Sequence, residues 1–570
     1  MVINQDNELM QEKDTASVSA NENFNGENKS INDTEASHSV TFSKGSLRGS
    51  GSPENKPSSS SQKGDARTAR MGTGSIPKLI IEFAIPSIVG MLVNGAYNVI
   101  DSIFLGQAMG EIGLSVATAA MPLMTIFMAL SMLIGNGGNA LAALRLGEGN
   151  KNAAEKSLGN TVCLGIIAAI LVAILIHIPP CVEAILTLSS VTPEIRDYTY
   201  SFMYILALGF IFQLIGAGVN NFIRTAGAPN RALGTMVIGT ISCIVLNYLF
   251  VLVFGWGVVG SALATILGQA ISCICVLWYF IFTKDVAFKL YARNLKLDSE
   301  VVGLIISLGA ASFVMQLAMS VINFLVNYLL VLYGGQSPLG AEAALASIGV
   351  VQRCAMFAVL PLIGVAIAIQ PLLGFNYGAS LISRVRSTLG YGILIATIFA
   401  TVMWALIHFF AFDIVSFFGI RDDALREFTV FALNVQVLVL PVIGLQIVSS
   451  NYFQATGQPV KSVVLSLTRQ VLFLIPLYIV LPLILPHIAP SLTSLDALYF
   501  AVPVADILSV ITAAIFIFFE LKRLKGIEAG TIQAKFGKKI RVKLPINKGC
   551  KVLTIRISVH ASMNVSLIVL

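Results

Sequence analysis

From about residue 75 onward the chain alternates between long apolar runs and short polar connections. Windows of about 19 residues resolve twelve such runs. Six centre near Val93, Met128, Ala169, Gly209, Leu246 and Ser272, and six near Gln316, Val359, Thr397, Leu438, Tyr478 and Ser509. Each is long enough to cross a bilayer. Inside lipid a backbone must satisfy its own hydrogen bonds, so each run is predicted as a helix. The expected fold is an all-α membrane protein of twelve transmembrane helices.

The flanks differ in kind. Residues 1–74 are rich in Ser, Asn, Gly and charge, show no apolar period, and are predicted as a disordered polar tail. Met71, in "MGTGSIPKLI", is an alternative start within it. Residues 526–570 hold eight Lys and Arg against one acid, Glu528, which suits a basic tail lying on anionic lipid; its "VLTIRISV" reads equally as a strand or as unfolded.

The connections carry an asymmetry of charge. Those after even-numbered spans hold Arg145, Lys151, Lys156, Arg224, Arg231, Lys284, Lys289, Arg293, Lys296, Arg384, Arg386, Lys461 and Arg469, while those after odd-numbered spans hold only Arg196, Arg421 and Arg426. By the positive-inside rule the even connections and both termini are cytoplasmic.

The two sets of six spans also repeat one another. "PEIRDYT" (Pro193 to Thr199) faces "DALREFT" (Asp423 to Thr429), and "NFIRTAGAPNRA" (Asn221 to Ala232) faces "NYFQATGQPVKS" (Asn451 to Ser462), both 230 residues apart. Six spans return the chain to its starting side, so two pseudo-symmetric six-helix bundles, residues 75–295 and 296–525, are expected with a substrate cleft between them.

Composition agrees. The chain of 570 residues is 56% hydrophobic and 12% charged with mean hydropathy +0.81, against about 25% charged for a soluble domain. Nothing points to nucleic acid or to a nucleotide cofactor. Five of the seven cysteines (Cys163, Cys243, Cys273, Cys275, Cys354) lie in apolar runs without ligand spacing, and read as packing residues with no metal site. "IGNGGNA" (Ile134 to Ala140) lacks the Lys-Ser/Thr ending of a phosphate loop and reads as close helix packing. The five His lie in the tails or near span ends, leaving a membrane-embedded enzyme without a plausible catalytic cluster. A filter-like loop for a channel is missing too.

Two carboxylates stand inside apolar runs. Asp101, in "YNVIDSIFLG", lies roughly 20 residues into the first span, where a charge facing lipid costs at least a few kcal/mol. It is either interfacial or functional. Asp506, in "AVPVADILSVI", is either a helix-packing residue or a second proton or substrate site, and Arg353, in "VVQRCAMF", either snorkels or serves as a counter-charge.

Five segments, taken in order, resemble the multidrug and toxic compound extrusion (MATE) family over about Gly74 to Lys525: "GAYNVIDSIFLG", "IRTAGAPNRA", "GWGVVGSALAT", "AIQPLLGFNYGA" and "FQATGQPVKS". The resemblance implies two six-helix bundles, alternating access, and export of small amphiphilic cations against an inward flux of protons or sodium, with no other cofactor. It places Asp101 on the family's first-helix coupling carboxylate. It also places Thr265 on a sixth-helix Thr, Asn247 where one branch has an Asp, and Cys243 where that branch has an Asn. These departures leave one carboxylate, one amide and one hydroxyl, a set better suited to a proton than to bare sodium. Asn247 and Thr265 are otherwise interhelical glue.

A central cleft in such a fold would be lined from Tyr97, Phe104, Gln213, Asn323, Phe324, Asn327, Tyr328, Gln436 and Gln446, rings and amides that suit a bulky cation. Pro86 and Gly90 mark where the first helix is expected to yield. A monomer in the cell membrane is expected. The alternative function, a lipid-linked saccharide flippase of related architecture, requires several cations along the cleft.

Overall fold

A computed structural model describes residues 59–180, 183, 186, 193–418, 420 and 422–531; the side chains of residues 59–63, 97–99, 102, 111, 114 and 194 are outside that description. The described chain is all helical. The helices are α1 (Ser59–Thr73), α2 (Ile76–Ala119), α3 (Met121–Gly147), α4 (Lys151–Leu175), α5 (Arg196–Thr225), α6 (Pro229–Asn247), α7 (Gly257–Phe282) and α8 (Ser299–Gly334). They continue with α9 (Ala341–Gly378), α10 (Ile382–Phe409), α11 (Ala411–Phe417), α12 (Asp423–Val437), α13 (Leu440–Ala455), α14 (Pro459–Leu467), α15 (Ile475–Ile488) and α16 (Ser494–Glu528). Among the described residues eleven are long and apolar enough to span a membrane, and twelve if α12 and α13 form one bent span.

That bent span is instructive. Its sequence centre, Leu438, falls at a 44° break between α12 and α13, where Pro441 opens the second helix. Two other spans are irregular inside. The backbone of α6 runs on as a π-helical turn, Tyr248–Val253, and that of α14 as another, Thr468–Leu474, before α15.

Helix ends follow from local chemistry. Asn150 caps α4 by accepting from the Ala153 amide, Asp422 caps α12, and Thr493 with Asp496 closes a reciprocal capping box on α16. The turn from α5 to α6 puts Gly227 at φ 78 with Ala228 N bonded back to Ile223 O, and Pro229 opens the next helix. The same turn recurs 230 residues on, with Gly457 at φ 73, Gln458 N bonded to Phe453 O, and Pro459 opening α14.

Small residues let α3 occupy the centre. In "IGNGGNA" Gly135 abuts Gly218 of α5, Gly137 the Ile305 carbonyl of α8, and Gly138 the Thr161 side chain of α4, so a Cβ at any of them would collide. Where α3 crosses α9, Gly147 lies against the Phe375 carbonyl and Gly378 against the Leu144 carbonyl. Asn139 of α3 donates to Gln370 of α9 across the same crossing at 3.1 Å.

Several expectations need correction. Part of the polar tail is ordered: α1 forms at Ser59–Thr73, and its last turn is held where Asn376 and Arg384 donate to the Met71 carbonyl. Residues 1–58 and 532–570, the rest of both tails, lie outside the described residues. The first helix is helical through Pro86 and Gly90, the places named for yielding when a proton is loaded, and carries a further break at Gly110 (φ 58, ψ −134). Most of the cations assigned to connections stand in the end turns of helices, and two lie deeper: Arg224 is fully buried in α5, and Arg469 lies in the π-helical turn after α14.

Candidate functional site

The Asp101 carboxylate is half-buried on α2 and meets two donors on the same oxygen. Asn247 Nδ2 donates to Oδ1 at 3.0 Å and Ser261 Oγ at 2.9 Å. Asn247 is the last residue of α6, and Ser261 sits in the second turn of α7. Three helices thus converge on one carboxylate. The Asn247 amide nitrogen also lies 3.6 Å from Cys243 Sγ, one turn back. Its carbonyl oxygen is buried without a donor among the described residues. A buried acceptor left that way is expensive.

A cavity of about 260 Å³ opens inside the first six spans, between α2, α3, α5, α6 and α7, with Ile363 and Ile367 of α9 on one side. Its wall on α6 consists of Met236, Gly239, Thr240 and Cys243. Their three- and four-residue spacing places them on one helix face, and Asn247 follows at the next step on that face. Thr265 faces the cavity from α7, one turn beyond Ser261. Asn247 is therefore the joint between the cavity wall and the carboxylate. Methionines (Met91, Met128, Met132) and amides (Asn94, Asn136, Gln213, Asn220, Asn221, Gln269) supply much of the remaining surface, with one ring, Phe212, and no acid is among the described residues that line it.

At the opposite end from Asn247 stands Arg224. Its Nε donates to Ser87 Oγ at 3.1 Å, and its Nη1 to Asn220 and Asn221 at 2.8 and 2.7 Å. The chain of contacts continues from Asn221 to Asn136, on to Ser312 of α8, and to Gln454 of α13.

The sequence-predicted residues divide clearly. Asp101, Asn247, Cys243 and Thr265 come together, and Gln213 lines the cavity. Asn323, Phe324, Asn327 and Tyr328 form an exposed face of α8 away from that cavity, Phe324 being 76% exposed. Phe104 is half-buried outside the lining, Gln436 and Gln446 sit on α12 and α13, and the Tyr97 side chain lies outside the described residues. Of the residues expected along a central cleft, Gln213 alone is among those lining this cavity.

Asp506 is buried and pairs with Arg469 at 2.6 Å, whereas Arg353 is exposed on α9. Two participants went unrecognised in the sequence. Ser261 lies four residues before Thr265 and so shares its helix face, a signal that was available. Arg224 was hidden by its neighbourhood, since it stands one residue before a loop-like "TAGAPNR". Among the described residues no cluster of three His, Cys, Asp or Glu is placed to hold a metal.

The MatE family profile matches residues 86–249 and again 311–480. The chain is similar to the multidrug export protein MepA of Staphylococcus saprophyticus, 22% identical over 71% of this chain and 87% of that protein. It is also similar to MepA of Staphylococcus haemolyticus, 26% identical over 67% of this chain and 82% of that one. Among solved structures it resembles an outward-facing multidrug resistance MATE family transporter of the MOP superfamily, with TM-score 0.73 at 22% identity over 83% of this chain and all of that one.

Proposed function

Since this chain belongs to the MatE family, whose members are transporters and not enzymes, we propose that it is a secondary active exporter that exchanges amphiphilic organic cations for protons. The observation that carries the reading is the Asn247 amide, which bonds the Asp101 carboxylate and extends the same α6 face that walls the cavity. Thioethers, amides and the Phe212 ring hold a bulky cation without strict geometry. The MepA relatives bear the name of multidrug exporters, which supports the same substrate class.

The proton reading follows from the donors. Both polar neighbours direct hydrogens at Oδ1, the oxygen that a half-turned Asn247 amide would face with its own oxygen, and a proton taken up at Oδ1 turns that atom from acceptor into donor. Once Asp101 is protonated it no longer needs both donors. A half-turn of the Asn247 amide then presents its orphaned oxygen as an acceptor for the new O–H. The two protonation states thus prefer two amide orientations, and the amide is in the cavity wall's own row. Each orientation biases one access state of the transporter. One charge moving through 100 mV supplies about 2.3 kcal/mol, or roughly a 45-fold gradient.

In this reading the two sets of six helices, residues 75–295 and 296–525, rock against each other in the cell membrane of a monomer, with the Lys- and Arg-rich loops and both termini on the cytoplasmic side. The flippase alternative keeps second place: one cation, Arg224, lines the cavity, whereas a pyrophosphate carries more charge than one guanidinium balances. The test is accumulation of ethidium by proteoliposomes with an acidic interior. Uptake that collapses with a protonophore supports the reading. Uptake that persists with the protonophore and follows a sodium gradient instead would remove the proton from it.

A further inference from the structure

The cavity carries a positive charge that none of its described lining residues balances. Arg224 is only 1% exposed, and all of its described partners, Ser87, Asn220, Asn221 and Met236, are neutral. A guanidinium stays charged under all ordinary conditions, and one buried without an anion is costly. Other buried or half-buried cations differ in their partners: Arg469 has Asp506, Arg523 and Lys461 share Glu520, and the half-buried Arg384 meets Asn376 and two backbone carbonyls. Arg224 is the one cation among the described residues that is buried outright, and it has no acid beside it.

The geometry of its hydrogen bonds shows where an anion would enter. Nε and Nη1 are committed to Ser87, Asn220 and Asn221, which pin the group between α2 and α5. Nη2 meets only the thioether sulfur of Met236, at 3.5 Å, and sulfur is a weak acceptor. Met236 is itself a flexible cavity-wall residue, so a ligand oxygen can displace it at little cost. A second polar group in the same cavity is open to a ligand: Ser131 lines it at 6% exposure, and its hydroxyl has no partner among the described residues. Ser131 stands five residues before Asn136 on α3, roughly 7 Å farther into the cavity.

From Met236 beside the guanidinium to Cys243 the α6 face spans seven residues, about 10 Å, and Asn247 with its carboxylate lies one turn beyond. The cavity is therefore polarised along its length, with a fixed cation at one end and Asp101 past the other. We propose that Arg224 is a recognition site for the carboxylate of the transported molecule, so that the preferred substrates are zwitterionic amphiphiles, with an acid on Arg224 and an amine directed toward the Asp101 end. This rests on the reading of the cavity as the substrate site, and it narrows the class from cations to cations that also bear an anionic group.

The test uses the purified full-length protein in detergent without any gradient, so that coupling plays no part. Calorimetry compares a rigid biphenyl bearing an aminomethyl group at one end and a carboxylate at the other with its methyl ester, which is a simple cation. Wild type is expected to bind the zwitterion at least tenfold more tightly than the ester. Arg224→Gln should bring that ratio close to one. Met236→Glu, which leaves the arginine in place and neutralises it from within, should do the same and serves if the first variant does not fold. A wild-type ratio near one overturns the inference and leaves the cation-export reading standing; a tenfold preference retained in either variant overturns it as well, by placing the anion elsewhere. If neither compound binds, the cavity reading falls and takes this inference with it.

Discussion

Asn247 Nδ2 donates to Asp101 Oδ1 at 3.0 Å while the oxygen of the same amide stays buried without a donor among the described residues. One end of the side chain serves the carboxylate, and in the proposed exchange the other would accept from the carboxyl once it carries a proton. Ser261, the second donor to Oδ1, steadies the ionised state. Removing it deletes a hydrogen bond to a charged group, a loss of about 1.5 kcal/mol. Ser261→Ala should therefore slow proton-driven ethidium transport about tenfold, with Ser261→Thr restoring most of the rate. Equal rates for wild type and Ser261→Ala would mean that the hydroxyl plays no part in coupling.

The Asp506 and Arg469 pair reads as structural. Asp506→Asn leaves a guanidinium without its counter-ion and should destabilise the protein by about 3–5 kcal/mol, whereas the double change Asp506→Leu with Arg469→Met should recover most of the loss. Thermal unfolding in detergent decides it. An Asp506→Asn protein that melts normally but no longer transports would make this carboxylate a second proton site instead.

Gly110 holds the break in α2 at φ 58 and ψ −134, a conformation that L side chains avoid, and nothing lies within 4 Å of where a Cβ would be. Gly110→Ala is thus penalised by backbone strain and not by collision. It should cost about 1–3 kcal/mol or straighten the helix. Spin labels placed on either side of residue 110 report which; an unchanged distance with unchanged stability would show that the break does not depend on glycine.

How far the sequence reached can be argued from such residues. Span positions were legible because a bilayer imposes one length and one polarity on every helix, and the Asp101, Asn247, Cys243 and Thr265 set was legible through the family resemblance. The break at Gly110 and the π-helical turns were not, since they depend on neighbours and leave no period. Arg224 was misplaced for an instructive reason. Hydropathy assigns a cation near a Gly-Pro turn to the loop, while the packing of α2, α5 and α6 around it draws it inside. The cavity's location in the first six spans likewise depends on how side chains fill each set of helices, which two similar sequence halves do not reveal.

Asp298 ties the connection between α7 and α8 to α4. It caps α8 through the Glu300 amide and accepts from Lys156 Nζ at 2.9 Å, and the lysine's hydrogen bond holds its carboxyl below the usual carboxylate range. A depressed carboxyl contributes stability that is complete above its unfolded value, about pH 4, and is lost as pH falls through the folded value. Asp298→Asn should lower the melting temperature at neutral pH and flatten its fall in the acid range. Identical melting profiles for the two proteins across that range would remove the ion pair from the account.

The central claim, that Asp101 holds the proton exchanged for substrate, is tested most directly by adding ethidium to the purified protein in weakly buffered detergent solution and recording the pH. Wild type should release protons on binding, and Asp101→Asn should bind the dye and release none. Equal release from both proteins would place the exchanged proton elsewhere and leave Asp101 without the role assigned to it.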